Sequence, residues 1–392
     1  MMPRFMLHEP LITSLYVHVP FCAKKCGYCA FYSEASDGAL VNRYVKALIR
    51  EMELVAADLK PQTVFFGGGT PSLLNMRQWE SIFKAMERLH LLGAAEWTVE
   101  CNPATVSADK ARLLRQWGVN RVSLGAQSFD AGLLERLGRV HSREMIFKSF
   151  DILRASGFDN VNLDLMFAIP GQTMETWRST LAEAVALGGE HLACYEVIYE
   201  EDTPLFAQLQ AGKISADEEL ACAMYDELLS VTAAAGLEQY EVANFARRRG
   251  GGGAGPPERA CRHNVNYWRG GPFHGLGPSA AGYARGRRTA NIANTTLYCE
   301  QLERGLRLPA SSEELPPLAR AGEIAAFGLR MTAGWPLLEF QQRTGFDLRQ
   351  EWAPEIQRMI ALGYGKLDDQ RFQLTNQGLR FADWVGSEFL RS

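Results

Sequence analysis

Apolar, β-rich runs alternate with amphipathic helical patterns six times along the first half of the chain. The runs typical of buried strands cover residues 14–19, 63–66, 97–101, 121–124, 160–167 and 191–198. Amphipathic stretches lie between them at residues 41–58, 77–90, 108–117, 143–156 and 174–187. Such alternation is typical of a parallel sheet covered by helices. Six units are too few for the usual closed barrel of eight strands, so the pattern predicts an α/β fold with a partial (β/α)6 barrel, open on one side.

The chain has 392 residues, which is enough for two domains of ordinary size. We expect the barrel in residues 1–240 and a smaller α+β domain in residues 241–392. Hydrophobic residues make up 47% and charged residues 22% of the chain, an ordinary balance for a globular protein. The net charge of −4 argues against bulk electrostatic binding of nucleic acid.

The cysteines and the apolar runs indicate the cellular compartment of the protein. Five cysteines are dispersed along the chain, unlike the framework of a disulfide-rich secreted protein: Cys101, Cys194, Cys222, Cys261 and Cys299. No run has the length of a transmembrane helix, and the first residues lack the apolar core of a signal peptide. We therefore expect a cytoplasmic protein without a transmembrane segment.

The other three cysteines stand in one short run directly after the first predicted strand. Cys22, Cys26 and Cys29 are spaced Cys-x3-Cys-x2-Cys, and no fourth cysteine is nearby. Closely spaced thiolates in a loop suit an iron–sulfur cluster, and three ligands on a four-iron cluster leave one iron open for a small molecule. A closed zinc site would need a fourth protein ligand. His18 is a poor candidate for that ligand because it lies within the predicted strand.

Polar residues stand where the predicted strands end. Cys22 follows the first strand, and the turn 67–71 follows the second. Glu100 ends the third strand, Gln127 follows the fourth, and Asp164 lies in the fifth. The carboxyl ends of parallel strands meet at one edge of the sheet, where such folds place their chemistry. The sequence therefore predicts a single active face.

The turn after the second predicted strand reads Gly67-Gly68-Gly69-Thr70-Pro71. Since glycine has no Cβ atom, the backbone here can approach a ligand closely. Its free N–H and C=O groups can hold the amino and carboxylate ends of a zwitterion. Taken alone, a triple glycine is more often just a tight turn.

The cysteine loop resembles the cluster-binding loop of radical S-adenosylmethionine (SAM) proteins. The resemblance implies a [4Fe-4S] cluster held by Cys22, Cys26 and Cys29, whose unique iron is chelated by the amino and carboxylate groups of SAM. It also implies a set of SAM-contacting residues that follow the family order: Tyr16, Tyr28, Gly68, Gly69, Thr70, Glu100, Gln127, Arg139 and Asp164. The alternative for each is a satisfied polar side chain in the barrel interior.

The lead-in Tyr-x-His-x-Pro-Phe-Cys narrows the resemblance to one branch of these proteins. That branch contains the oxygen-independent coproporphyrinogen dehydrogenases and the HemW-type haem chaperones. The dehydrogenases carry a further cysteine two residues after the third, where this chain has Phe31. Their segment ahead of the first strand is also longer than residues 1–13 here. Both differences favour the chaperones.

A second motif, His-Asn-x-x-Tyr-Trp at residues 263–268, resembles the hallmark of the HemW chaperones, whose histidine is tied to haem binding. Neutral imidazole is a good axial ligand for haem iron, and the adjacent aromatic rings can stack on a porphyrin. The motif therefore implies a haem site with His263 as the ligand. Cys261 is a rival thiolate ligand, and His274 and His141 are weaker candidates.

Two further segments stand out by composition. The Gly/Pro run 247–257, which includes the Gly-rich loop 250–257, cannot sustain a helix or a strand. It is either a flexible linker or a basic lid that meets anionic groups such as porphyrin propionates. The region from residue 315 onward resembles the small C-terminal domain of the same family, with helices and a β-hairpin.

The resemblances together predict a haem chaperone, a carrier rather than an enzyme. It would bind haem and transfer it to acceptor haemoproteins, with membrane-bound respiratory subunits as candidate acceptors. Its cofactors would be the [4Fe-4S] cluster and SAM, which is either cleaved or only gates haem binding. The alternatives are an oxygen-independent coproporphyrinogen III dehydrogenase and a radical SAM methyltransferase that degrades haem.

Overall fold

The computed structural model describes residues 11–35, 37–250 and 255–391. Residues 251–254, half of the Gly-rich loop 250–257, lie outside these residues, as do the first ten residues of the chain. The elements up to residue 247 are β1 (Ile12–Val19), β2 (Phe21–Cys22), β3 (Glu34–Ala35), α1 (Gly38–Val55), β4 (Leu59–Gly68), α2 (Met76–Arg88), β5 (Glu96–Cys101), α3 (Ala108–Gln116), β6 (Arg121–Gln127), α4 (Ala131–Leu137), α5 (Arg143–Ala155), β7 (Val161–Phe167), α6 (Met174–Ala186), β8 (His191–Glu196), α7 (Pro204–Gln210), α8 (Glu218–Ala234), β9 (Leu237–Gln239) and β10 (Asn244–Arg247).

The remaining chain contains shorter elements. They are α9 (Arg262–Trp268), β11 (His274–Leu276), β12 (Ala281–Ala284), β13 (Arg287–Ala290), α10 (Thr295–Glu303), β14 (Ser311–Glu314), α11 (Pro317–Gly328), β15 (Trp335–Pro336), α12 (Leu337–Thr344), α13 (Leu348–Glu351), α14 (Ala353–Ala361), β16 (Gly365–Leu367), β17 (Arg371–Leu374), α15 (Asn376–Arg380) and α16 (Ala382–Glu388). Single 3-10 turns cover Ala56–Asp58, Pro71–Leu73 and Pro103–Thr105.

The main sheet has nine strands in the order β11-β1-β4-β5-β6-β7-β8-β10-β9. Strands β1 and β4 to β8 are the six predicted strands, and they run parallel with helices in the connections. The order is linear, so the barrel is open between β11 and β9. The predicted α/β fold with a partial (β/α)6 barrel is thus confirmed, although β11 and the antiparallel β10 and β9 extend the sheet beyond six strands.

The helical layer packs on the outside of this sheet through aromatic side chains. In α2, Trp79, Phe83 and Met86 recur at helical spacing and are fully buried. Trp79 lies against Phe66 of β4, with ring centroids 5.2 Å apart, and stacks on Phe83 at 5.1 Å. A capping box at Asn75 fixes the start of the helix. Sheet and helices therefore form one continuous core.

A second core lies in residues 321–389, where helices surround a small antiparallel sheet, β15-β17-β16. Its largest members, Trp335, Phe340, Trp352 and Phe372, are fully buried. A separate sheet, β12-β13-β14, lies between the two cores in sequence. Among the described residues, no helix combines the length and the apolar character needed to cross a bilayer.

Candidate functional site

The cysteine loop leaves the barrel at the carboxyl end of β1. It is closed at its base by pairing of β2 with β3. Further along, the Gly27 N–H donates to the Leu137 carbonyl at 3.1 Å, and the Gly27 carbonyl accepts from the Leu205 N–H at 2.9 Å. The loop is thus held against the ends of α4 and α7, and Cys22, Cys26 and Cys29 stay partly exposed.

A cavity of about 630 Å³ opens at this end of the barrel. This is the size range of small-molecule sites. Eleven of the thirteen predicted site residues line it: Cys22, Cys26, Cys29, Tyr28, Gly68, Gly69, Thr70, Glu100, Gln127, Arg139 and Asp164. The strand ends therefore converge on one cavity, as expected for the carboxyl edge of a parallel sheet.

The other two predicted residues do not line this cavity: Tyr16 lies deeper in the barrel, and His263 lies outside the cavity, in α9. The Tyr16 ring packs beside Phe65, with centroids 6.3 Å apart, and its hydroxyl meets Nδ1 of His18 at 3.1 Å. Burial, with the nearby Glu100 charge, raises the pKa of Tyr16 well above its usual value. Tyr16 thus lies beneath the cavity.

The triple-glycine turn packs against the cysteine loop. A Cβ atom on Gly69 would stand 2.7 Å from the carbonyl oxygens of Val19 and Phe21, which requires glycine here. The N–H groups of Gly69 and Thr70 donate to these two carbonyls, both at 2.8 Å. These N–H groups are therefore satisfied within the protein, unlike the free groups expected from the sequence, and the turn supports the loop that carries the cysteines.

Two carboxyl groups, those of Glu100 and Asp164, face the cavity. Burial, followed by the negative charge of Asp164, raises the pKa of Glu100 to about 8. Burial also raises the pKa of Asp164 to about 6, although Asn162 and Ser123 donate to its carboxylate at 2.7 and 3.3 Å. Near neutral pH, Glu100 therefore holds a proton and can donate a hydrogen bond, whereas Asp164 is mostly ionised and accepts hydrogen bonds.

Arg139 connects the barrel to the cysteine loop. Its guanidinium donates to the Gly125 carbonyl at 2.8 Å and to the Cys26 sulfur at 3.5 Å. The Nε atom is buried and finds no hydrogen-bond partner within the described chain. Three cysteine thiols on one loop are the ligand type that an iron–sulfur cluster takes. The donor set of this cavity therefore fits a cluster.

Gln127 is held in the left-handed region, with φ of 67°, where β6 has a bulge against β7. Strained backbone of this kind is often found at functional sites. Tyr195 of β8 donates to the Gln127 side-chain carbonyl at 2.7 Å and also lines the cavity. Tyr195 is not among the residues that the sequence predicts for this site. Its place near the carboxyl end of β8, level with the other strand ends, is the signal that identifies it.

His18 is committed to other contacts. Its Nε2 atom meets the Tyr32 carbonyl at 2.8 Å, and the ring is 4% exposed. It therefore does not complete a zinc site with the cysteines. Within residues 11–35, 37–250 and 255–391, no group of three or more His, Cys, Asp or Glu side chains, the three loop cysteines included, is arranged to surround a single metal ion.

Helix α9 carries the second motif and lies at the other end of the barrel. Its start is held by Glu96, the first residue of β5, whose carboxylate accepts from the N–H groups of Arg262 and His263 at 2.9 and 3.0 Å. The Cys261 thiol donates to the same carboxylate at 3.6 Å. Burial raises the pKa of Cys261 to about 12, so this rival ligand is a buried, protonated thiol.

His263 is 1% exposed, and both ring nitrogens have partners. Nδ1 lies 2.8 Å from the Thr63 hydroxyl, which itself donates to Ser14 at 2.9 Å. Thr63 thus accepts a hydrogen bond from Nδ1–H, and the lone pair of Nε2 accepts from the Tyr267 hydroxyl at 2.7 Å. Burial lowers the pKa of His263 to about 3, so the ring is neutral.

The two weaker histidine candidates lie elsewhere. His141 meets the Ala126 carbonyl at 3.0 Å, and burial lowers its pKa to about 4. His274 begins β11, and burial lowers its pKa to about 4 as well. The structure thus brings neither of them next to His263 in α9.

Comparisons with known proteins match both parts of the chain. Residues 16–184 match the model of the radical SAM superfamily, and residues 315–381 match that of the HemN C-terminal domain. Among solved structures, coproporphyrinogen III oxidase (HemN) from Escherichia coli aligns with a TM-score of 0.82 at 20% identity, over 97% of this chain and 90% of that one. This likeness establishes the fold.

Relatives that align over most of this chain show the family to which it belongs. The heme chaperone HemW of Bacillus subtilis is 33% identical, over 96% of this chain and 99% of the relative. HemW of Escherichia coli is 31% identical, over 96% and 98%. The mouse mitochondrial radical S-adenosyl methionine domain-containing protein 1 is 32% identical, over 94% and 85%. The chain therefore belongs to the HemW family of radical SAM proteins.

Proposed function

We propose that this protein is a haem chaperone, which binds haem and transfers it to acceptor haemoproteins. The observation that carries the proposal is the likeness, over almost the whole chain, to proteins named heme chaperone HemW. The second motif supports it, because α9 presents a neutral imidazole next to aromatic rings, the chemistry of a haem ligand.

In this proposal, Cys22, Cys26 and Cys29 hold a [4Fe-4S] cluster, and the cavity above the barrel binds SAM. When bound, the cluster supplies an iron with an open coordination position and a one-electron couple. Glu100, Asp164 and the other lining residues would orient the ligand through hydrogen bonds and exclude water.

His263 is the proposed haem ligand. Its Nε2 atom carries the lone pair that iron needs, and the hydrogen bond from Nδ1–H to Thr63 orients the ring, as hydrogen bonds to the other ring nitrogen do in metal-ligating histidines. Since the Tyr267 hydroxyl occupies Nε2, this contact must break before iron binds. Haem is the cargo here, and its acceptors would be haemoproteins, with respiratory subunits as candidates.

Haem titration of purified protein tests the proposal. We expect His263→Ala to weaken haem binding and to remove the absorbance signature of histidine-ligated haem. His274→Ala is the matched control, because it removes another shielded histidine from the same part of the chain. Equal affinity of wild type and His263→Ala would remove His263 from the proposal, and failure of wild type to bind haem would refute the chaperone function.

A second candidate function is that of an oxygen-independent coproporphyrinogen III dehydrogenase. It is favoured by the fold that this chain shares with HemN and by the cavity lined by the three loop cysteines. Phe31 argues against it: the side chain stands on the cysteine loop, 69% exposed, where the dehydrogenases resembled by this loop have a further cysteine. Anaerobic assay of the reconstituted protein with coproporphyrinogen III, SAM and a reductant separates the two functions. We expect no turnover, and formation of protoporphyrinogen IX would favour the dehydrogenase.

A further inference from the structure

A second cavity, of about 230 Å³, lies beside α9 and away from the cysteine loop. It is bounded by α9, the sheet β12-β13-β14 and α11, and we refer to it as the α9 cleft. Most of its lining is apolar or aromatic, including Tyr267, Phe273, Tyr283, Ile324 and Phe327. Phe327 is 41% exposed, so the apolar lining of the cleft continues to the surface.

Tyr267 separates this cleft from His263. Its ring packs against Phe273 in the cleft wall, with centroids 4.4 Å apart, and edge-on against the His263 ring at 4.8 Å. Its hydroxyl donates to Nε2 of His263 at 2.7 Å. One side chain thus lines the cleft and covers the lone pair of the histidine.

One cation, Arg288, and one carboxylate, Glu323, stand in the lining of the cleft. Arg288 lines it and pairs with Glu323 at 2.7 Å and with Glu313 at 3.8 Å. Trp268, also in the lining, has a buried indole N–H that finds no acceptor within the described chain. An apolar floor beside a guanidinium that can exchange its carboxylate partner suits a flat, apolar ligand that carries carboxylates.

We propose that the α9 cleft binds the macrocycle of a tetrapyrrole and that Tyr267 is its gate. The ligand displaces the Tyr267 side chain as it enters, which releases the Nε2 lone pair of His263 to the iron. Arg288 exchanges Glu323 for a propionate of the ligand. This inference rests on the proposed haem-chaperone function and assigns the site and its closing residue.

Filling the cleft tests the site. Ala281 lines it from the exposed side of β12, so Ala281→Trp places an indole in the cleft without disturbing the core. The probe is metal-free protoporphyrin IX, followed by fluorescence, because it has no iron and its binding is independent of ligation by His263. We expect the variant to bind about tenfold more weakly or worse. The matched control, Leu338→Trp at a side chain that is 66% exposed, should bind like wild type.

Removing the phenol tests the gate. Tyr267→Phe keeps the ring in the cleft wall but frees Nε2, so we expect histidine-ligated ferric haem, followed by its absorbance, to form several-fold faster than in wild type. An unchanged rate would overturn the gate. If Ala281→Trp binds protoporphyrin IX as tightly as wild type, the α9 cleft is not the binding site. Haem binding by wild type would still support the chaperone function in that case. If wild type binds neither probe, both the site and the function are refuted.

Discussion

At the scale of single residues, the two buried carboxyl groups in the cysteine-loop cavity have raised pKa values. The pKa of Glu100 rises to about 8, mainly because the group is buried and then because Asp164 is close. An unfolded glutamate titrates near 4.3. Between these two values the folded protein holds a proton that the unfolded chain has lost. Stability from this group is therefore complete below the lower pKa and is lost as the pH rises towards about 8.

The substitution Glu100→Gln should remove this pH dependence. Relative to wild type, the free energy of unfolding of the variant should rise steadily between about pH 4.5 and pH 8, reaching roughly 3–5 kcal/mol, and then level off. Denaturant unfolding at a series of pH values, without added cofactor, measures the difference. Glu87→Gln, at an exposed glutamate, is the control. A difference for Glu100→Gln that stays constant with pH would contradict the assignment.

At the scale of elements, α9 depends on a residue from another part of the chain. The helix has seven residues, and its N-cap, Cys261, makes no side-chain cap. Glu96 of β5 replaces that cap by accepting from two N–H groups at the first turn. A carboxylate also interacts favourably with the positive end of a helix. The His-Asn-x-x-Tyr-Trp motif is therefore positioned by β5.

Glu96→Ala should detach the start of α9. Two buried N–H groups lose their acceptor, at about 1–3 kcal/mol each, so we expect a loss of roughly 2–5 kcal/mol in the free energy of unfolding. Glu96→Gln keeps one oxygen acceptor and should recover about half of that loss. Denaturant unfolding measures both variants, and hydrogen exchange at residues 262–268 should rise in Glu96→Ala. Equal stability of the alanine variant and wild type would exclude a capping role.

A buried chain of hydrogen bonds links the cavity to the same helix. Asp164 accepts from Asn162, whose carbonyl oxygen meets His191 at 2.6 Å. His191 contacts the Tyr240 hydroxyl at 2.8 Å, and this hydroxyl accepts from the Cys261 N–H at 3.2 Å. The three side chains that form this path, those of Asn162, His191 and Tyr240, are at most 2% exposed. The two sites of the protein are therefore connected through the barrel interior.

Tyr240→Phe should break this chain at its centre. The variant leaves His191 and the Cys261 N–H without their shared partner, so we expect a loss of about 1–3 kcal/mol in the free energy of unfolding. Denaturant unfolding measures it. Tyr364→Phe, whose ring stacks on Phe381 in the second core, is the control and should cost less. A smaller loss in Tyr240→Phe than in this control would indicate that the hydroxyl carries no structural role.

The elements that the sequence predicts well are those set by local pattern. Strands β1 and β4 to β8 follow from apolar runs, and the cysteine loop follows from its spacing, so the cavity at the strand ends could be predicted. The hydrogen bonds at both ring nitrogens of His263 could not be predicted. Its partners Thr63 and Tyr267 are identified only when β4 and α9 meet in space. Tyr195 could not be predicted for a similar reason: in a strand buried on both sides, the sequence pattern does not show which face of the sheet a side chain occupies.

At the scale of the whole molecule, one buried carboxylate joins the first helix to the region after α9. Glu51 of α1 is fully buried and accepts from the N–H of Gly277, the Asn291 side chain, the Tyr298 hydroxyl and Arg307, at 2.6–2.9 Å. The sequence of α1, in which Glu51 is one of two glutamates, gives no sign of these partners, which lie more than 200 residues away. This contact fixes β11 and α10 against the barrel.

Glu51→Ala should therefore loosen the attachment of the later chain to the barrel. It leaves four donors without an acceptor and the Arg307 cation without its pair, so we expect a loss of about 3–5 kcal/mol in the free energy of unfolding. The matched control is Glu303→Ala, which breaks the exposed pair of Glu303 with Arg43 between the same two helices, α1 and α10. That pair is solvent-screened and should contribute under about 1 kcal/mol. Denaturant unfolding compares the two variants, and similar losses would show that burial of Glu51 does not determine the strength of this junction.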